Sequence, residues 1–254
     1  MASGYRRLQD IPLEILEALN KGEQETKTLI EALSIDFSLL MQVTCPFVPR
    51  EELSKFQNLP ITKRMKEAAS ILHKYGQEHH LLECMKHPSD TVRGWTAIWI
   101  GMIPNMTLEE RFERLRSLAD DTHFGVREWA WMAARPHIKV ELLESLEFLK
   151  EWAGSPLENL RRFAIESTRP RGVWCPHLED LKREPMLARS LLEQVFQDPS
   201  RYVQNSVANW MNDASKHHPL WVKETCDQWL QRSSSKDTAY ICKRALRTLR
   251  AQNK

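Results

Sequence analysis

What most restricts the fold of this chain is that it repeats itself. The segments VRGWTAIWIG from Val92, VREWAWMAARP from Val126, LRRFAIESTRP from Leu160, VQNSVANWMND from Val203 and ICKRALRTLR from Ile241 align, and their starts lie 34, 34, 43 and 38 residues apart. A unit of that length cannot bury its apolar face alone, so stacking on neighbours is the stable solution. Each segment follows a polar turn, namely HPSD, DDTHFG, GSPLEN, QDPSR and SSSKD, in which Asp, Ser and Pro satisfy free amides and preset the backbone at a helix start. Apolar residues then recur at helical spacing, as in Val126, Trp129, Ala130 and Ala133, or in Leu160, Phe163 and Ala164.

Second amphipathic stretches lie between these helices: LEERFERLRSLA from Leu108, LLESLEFLKEWA from Leu142 and MLARSLLEQVF from Met186. Two helices per unit of about 34 to 47 residues is the pattern of HEAT-like α-solenoids. The expected fold is therefore all-α, an α-solenoid of HEAT-like helical hairpins over residues 61–254 with a concave face. Residues 1–60, which hold several short helical stretches and no tryptophan, read as an N-terminal helical cap, since a terminal unit needs a soluble outer face. With only 8 glycines and no long alternating Val/Ile/Thr runs, a sheet has little support.

Hydrophobic residues at 42% and charged residues at 28% place the chain among soluble globular proteins rather than disordered ones. The net charge of +2 announces no nucleic-acid partner, so any such surface must come from local clustering. The N-terminus lacks an apolar core of signal-peptide length and no apolar run nears membrane-span length, so no membrane partner and a cytoplasmic location, a bacterial cytosol or nucleoid, are expected. Five scattered cysteines without a CxxC pair argue for reduced thiols. Cys84 with His87, and Cys175 with His177, approach ligand spacing without a second matching half, so no metal is expected.

All nine tryptophans fall between Trp95 and Trp229, within the repeats. Trp129 and Trp131 point about 200° apart on a helix, so they cannot share one buried stripe. One faces the groove, or the second packs on a neighbouring unit; both readings stand. The same helix carries Arg127, Glu128 and Arg135, and the next supplies Arg161, Arg162, Glu166, Arg169 and Arg171. These charges fit either a groove that holds phosphates through arginines or a ladder of salt bridges between repeats. Asn209, Asn212 and Asp213 are poor choices inside a helix, which suggests a used surface, and Asn209 and Asp213 share one face.

The runs LRRFAIESTRPRGVW from Leu160 and DPSRYVQNSVANWMNDASKHHP from Asp198 resemble those of the HEAT-like-repeat alkylpurine DNA glycosylases, the AlkC/AlkD superfamily, and most of all its AlkC branch. That branch carries a Glu-x-Thr-Arg-Pro-Arg-x-x-Trp run followed by Ser-Val-Ala-Asn-x-x-Asn-Asp-x-Ser-Lys-x-His-Pro, and both match here almost position by position. The resemblance implies a DNA glycosylase that hydrolyses the N-glycosidic bond of cationic N3- or N7-alkylated purines in duplex DNA during base excision repair, as a monomer and without a cofactor. It places the groove carboxylates at Glu166 and Asp213, the aromatic at Trp174, and by a looser match a third acid at Glu128. Trp129, Arg127, Arg161, Arg162, Arg169, Arg171, Asn209, Asn212 and Lys216 complete the expected substrate- and DNA-binding set. Two rivals remain: a non-catalytic relative that recognises distorted or branched DNA, and a helical-repeat scaffold for another protein.

Overall fold

The computed structural model describes residues 4, 5 and 7–252. It is all-α: among the described residues there is no strand. By internal contacts the chain divides into two compact units, Met1–Ala133 and Ala134–Lys254.

The first unit holds α1 (Leu13–Lys21), α2 (Leu29–Ser34), α3 (Phe37–Thr44), α4 (Ile61–Tyr75), α5 (Glu78–Cys84), α6 (Asp90–Met102) and α7 (Leu108–Ala119). α4 and α6 lie side by side, with α5 and α7 also packed on α6. Asp90 to Ile100 of α6 is buried on every side, as expected of a helix without a polar face. α8 (Phe124–Val140) runs through the division between the units and continues past Pro136.

In the second unit α9 (Leu142–Ala153), α10 (Glu158–Ser167), α11 (Glu179–Arg183) and α12 (Arg189–Leu192) precede α13 (Arg201–Ser215), α14 (Pro219–Arg232), α15 (Lys236–Ala245) and α16 (Arg247–Gln252). α10, α13 and α15 form one layer; α9 and α14 back them, and α12 packs between α9 and α10. The apolar stripes meet in that interface: Leu160, Phe163, Val203, Val207 and Ile241 are buried, each contributing about 1.5–3 kcal/mol.

The turn signals start the helices where the sequence places them. Ser89, Ser200 and Ser235 are N-caps, and the Ser235 hydroxyl accepts from the Asp237 amide. α7 and α9 coincide with the amphipathic stretches at Leu108 and Leu142. The stretch from Met186 does not form one helix. A 3-10 helix, Pro185–Ala188, leads into the single turn of α12, and the path continues through Val195 and Asp198 amides bonded three residues back.

The residue after four of the five repeat anchors is a clamp. Arg93 donates to the carbonyls of His87 and Pro88 at 2.7 and 3.0 Å and to Asp121 at 2.7 and 3.0 Å. Arg161 repeats this with Ser155 and Pro156 at 2.9 and 3.0 Å and Asp198 at 2.6 and 3.1 Å. Arg127 holds the carbonyls of Asp121 and Thr122 at 2.6 and 2.9 Å. Gln204 does the same with the Asp198 carbonyl at 2.7 Å and Asp237 at 3.0 Å. The guanidinium or amide thus caps the turn before its own helix, and in three of the four it also reaches the aspartate of the next turn. Asp198 also holds Arg161 above its ordinary pKa. Arg127 and Arg161, expected at a DNA surface, sit at joints of the array, Arg127 on turn carbonyls and Arg161 on turn carbonyls and a buried carboxylate.

Candidate active site

The motif runs converge at the C-terminal end of α10. Thr168 ends the helix, its hydroxyl bonded to the Ala164 carbonyl at 2.9 Å, and Pro170 prevents continuation. The carbonyls left open there are taken by side chains. Arg135, 3% exposed, donates to Ser167 at 3.0 Å and Arg169 at 2.9 Å, and the Trp210 indole donates to Thr168 at 2.9 Å. Arg135 also holds the Pro176 carbonyl at 3.0 Å, so it ties both ends of the following loop together. Of the two readings the sequence leaves open for Arg135, groove or internal contact, the structure shows a buried anchor.

That loop, closed by the Leu178 amide on the Pro170 carbonyl at 3.1 Å, turns so tightly that a Cβ on Gly172 would lie 2.2 Å from the Cys175 oxygen. Its tip is Val173 and Trp174. Trp174 has φ +69°, a left-handed conformation that costs a bulky residue energy, and its side chain is 63% exposed, whereas Trp95, Trp210 and Trp229 are fully buried. An exposed indole on a strained, anchored loop has no packing role to explain it.

Glu166 and Asp213 meet on Arg169. Its NH1 donates to Glu166 Oε2 at 3.2 Å, and its NH2 and Nε donate to Asp213 Oδ2 at 2.7 and 3.0 Å. Ser206 donates to Glu166 Oε1 at 2.7 Å, with Arg162 3.9 Å away, and Lys216 holds Asp213 Oδ1 at 3.2 Å. All four carboxylate oxygens are engaged and both residues are 5% exposed. Burial pulls the Arg169 pKa down, but Glu166 and Asp213 outweigh it and hold the guanidinium above its ordinary value. The expectation of open carboxylates in a groove is corrected: the acids are adjacent, but arginine covers them, because two buried carboxylates side by side need a cation between them.

The remaining expected residues separate. Arg171 donates to His217 Nε2 at 2.9 Å, which makes that nitrogen an acceptor; burial first, then Arg171, lowers the His217 pKa. Arg162 lies over the Tyr202 ring at 4.3 Å. Asn209 accepts from Arg247 at 3.0 Å. Asn212 is a correction: it is 3% exposed, and its amide is taken by the Ala245 carbonyl at 3.0 Å and Thr248 at 2.9 Å. In the first unit, Glu128 accepts from the Trp131 indole at 2.8 Å, and Trp131 is buried. Trp129, half-buried, packs on α6, where a Cβ on Gly94 would come within 2.8 Å of it. Among the described residues no group of three or more His, Cys, Asp or Glu is placed to hold a metal.

Fold and site together define a helical-repeat protein with an arginine-bridged acid pair at the end of α10 and a projecting tryptophan on the loop that follows. Residues 128–249 match the family model described as DNA alkylation repair enzyme. The Bacillus subtilis protein YhaZ, described as uncharacterized, is 35% identical over 137 residues, 54% of this chain and 37% of that protein. In fold, the chain resembles Pseudomonas fluorescens alkylpurine DNA glycosylase AlkC bound to DNA containing an abasic site analog, with a TM-score of 0.69, 23% identity and coverage of 97% of this chain and 65% of that one. AlkD2 from Streptococcus mutans gives 0.63 at 23% identity, covering 80% and 97%. The chain thus spans about a third of YhaZ and two thirds, just short, of the AlkC chain.

Proposed function

We propose that this chain hydrolyses the N-glycosidic bond of cationic N3- or N7-alkylated purines in double-stranded DNA, as a member of the AlkC branch. The observation that carries the reading is the convergence of Glu166 and Asp213 on one guanidinium. An alkylated purine already bears positive charge and leaves without protonation. What needs help is the sugar, where an oxocarbenium-like cation develops and an adjacent carboxylate stabilises it more than the ground state. The same acid can orient a water for attack at the anomeric carbon. The exposed Trp174 indole offers cation–π attraction to the charged base that an unmodified base does not receive.

Arg169 and Lys216 cover the acids. Their side chains are 17% and 34% exposed against 6% and 7% for Glu166 and Asp213, so an arriving phosphate meets the cations first. Phosphate competes well for guanidinium, so substrate docking uncovers the carboxylates. The engagement of all four oxygens favours a second reading, a DNA-binding relative that does not cleave.

One assay separates them. Methylated DNA incubated with the protein should release 3-methyladenine or 7-methylguanine, measured by chromatography; no release above a buffer control at saturating protein eliminates the enzyme. Glu166→Gln and Asp213→Asn should each lower release by about two orders of magnitude while binding DNA no more weakly, since a carboxylate repels phosphate. Weaker binding together with a lowered melting temperature would mean that the acids only hold the fold.

A further inference from the structure

The face of α13 that carries Asp213 continues away from it. Tyr202, Asn205, Asn209, Asp213 and Lys216 follow one another at steps of 3, 4, 4 and 3 residues and therefore share one side of the helix. From Tyr202 to Lys216 the helix rises about 21 Å, the rise of about six base pairs.

Cations from the start of α13 and from the flanking α15 and α16 line this face. Arg201 lies over the Tyr240 ring at 3.5 Å and Arg244 over the same ring at 5.5 Å, while the Tyr240 hydroxyl donates to Asn205 at 2.8 Å. Arg247 donates to Asn209 at 3.0 Å. Burial and the neighbouring Arg244 pull the Arg247 pKa down and Asp213 acts in the opposite sense, which puts Arg247 within electrostatic reach of the acid pair. Arg201, Arg244 and Arg247 are exposed, and among the described residues none is paired with a carboxylate. Aromatic faces and amide oxygens hold them in place and leave donor edges open. Planar forks presented in a row beside neutral amides fit a regularly spaced polyanion of phosphates.

We infer that this face is a ledge for the sugar–phosphate backbone of duplex DNA, in which Arg201, Arg244 and Arg247 bind phosphates and lead the strand to Glu166 and Asp213. The inference rests on the proposed function for the identity of the polymer but not for its chemistry, so binding is read on undamaged DNA. Fluorescence anisotropy of a short undamaged duplex, measured from about 50 to 200 mM salt, gives the slope of log K against log salt. The double variant Arg244→Gln with Arg247→Gln, which keeps the stems, should make the slope shallower by about two, one phosphate per arginine, and weaken binding. Arg232→Gln removes a charge already paired with Glu193 and should leave the slope unchanged.

Unchanged slope and affinity in the double variant, with a native circular dichroism spectrum and melting temperature, overturns the ledge. So does loss of binding to polyglutamate with duplex binding intact, which would make the partner an acidic polypeptide. Failure of base release with a shallower slope would sink the glycosylase and spare the ledge; release by the wild type with an unmoved slope does the reverse.

Discussion

Arginines at the repeat turns and arginines along α13 are the same residue put to opposite uses. At the turns, Arg161 is 13% exposed and reaches Asp198, itself 3% exposed, plus two carbonyls, so its charge ends within the fold. Along α13, Arg244 and Arg247 rest on a ring and an amide and keep their charge facing outward. Arg169 stands between the two: paired twice with carboxylates, yet at a surface that a phosphate can reach. A count of basic residues cannot tell these uses apart, which is why a net charge of +2 is compatible with a strongly cationic face.

The comparison breaks most readily at the clamp. Arg161→Ala leaves Asp198 buried and uncompensated and should cost about 3–5 kcal/mol, read as a lower denaturation midpoint. Base release per folded molecule should persist; if stability is unmoved and DNA binding falls instead, Arg161 belongs with the ledge. Gln204→Ala removes a neutral version of the clamp and should cost about 1–2 kcal/mol by the same measurement. A loss as large as that of Arg161→Ala would show that the carbonyl contacts, not the ion pair, carry the joint. The smallest change should come from Trp174→Gly, which relieves the left-handed strain and should raise the melting midpoint by the equivalent of about 1 kcal/mol while base release falls. A fall in stability would make the indole part of the core.

Much of the second unit is legible in the amino-acid sequence. Ser200 and Ser235 begin helices as their turn residues require, and Leu160, Phe163 and Ala164 are buried as their spacing requires, because both signals act within one or two helical turns. The segment from Met186 was misread: its apolar pattern suits a helix, but tertiary packing tightened it into a 3-10 path. Asn212 was misread for a related reason. Its unfavourable place inside a helix is explained by a carbonyl 33 residues later, not by a ligand.

Local order along the chain therefore determined the helices, their caps and the pairing of Glu166 with Arg169, since each depends on neighbours three or four residues away. Only tertiary structure decided which charges face outward. Whether Arg161 meets Asp198, or Arg247 meets Asn209, is settled by side chains 37 and 38 residues apart in sequence coming within 3.1 Å, and no periodicity encodes that distance.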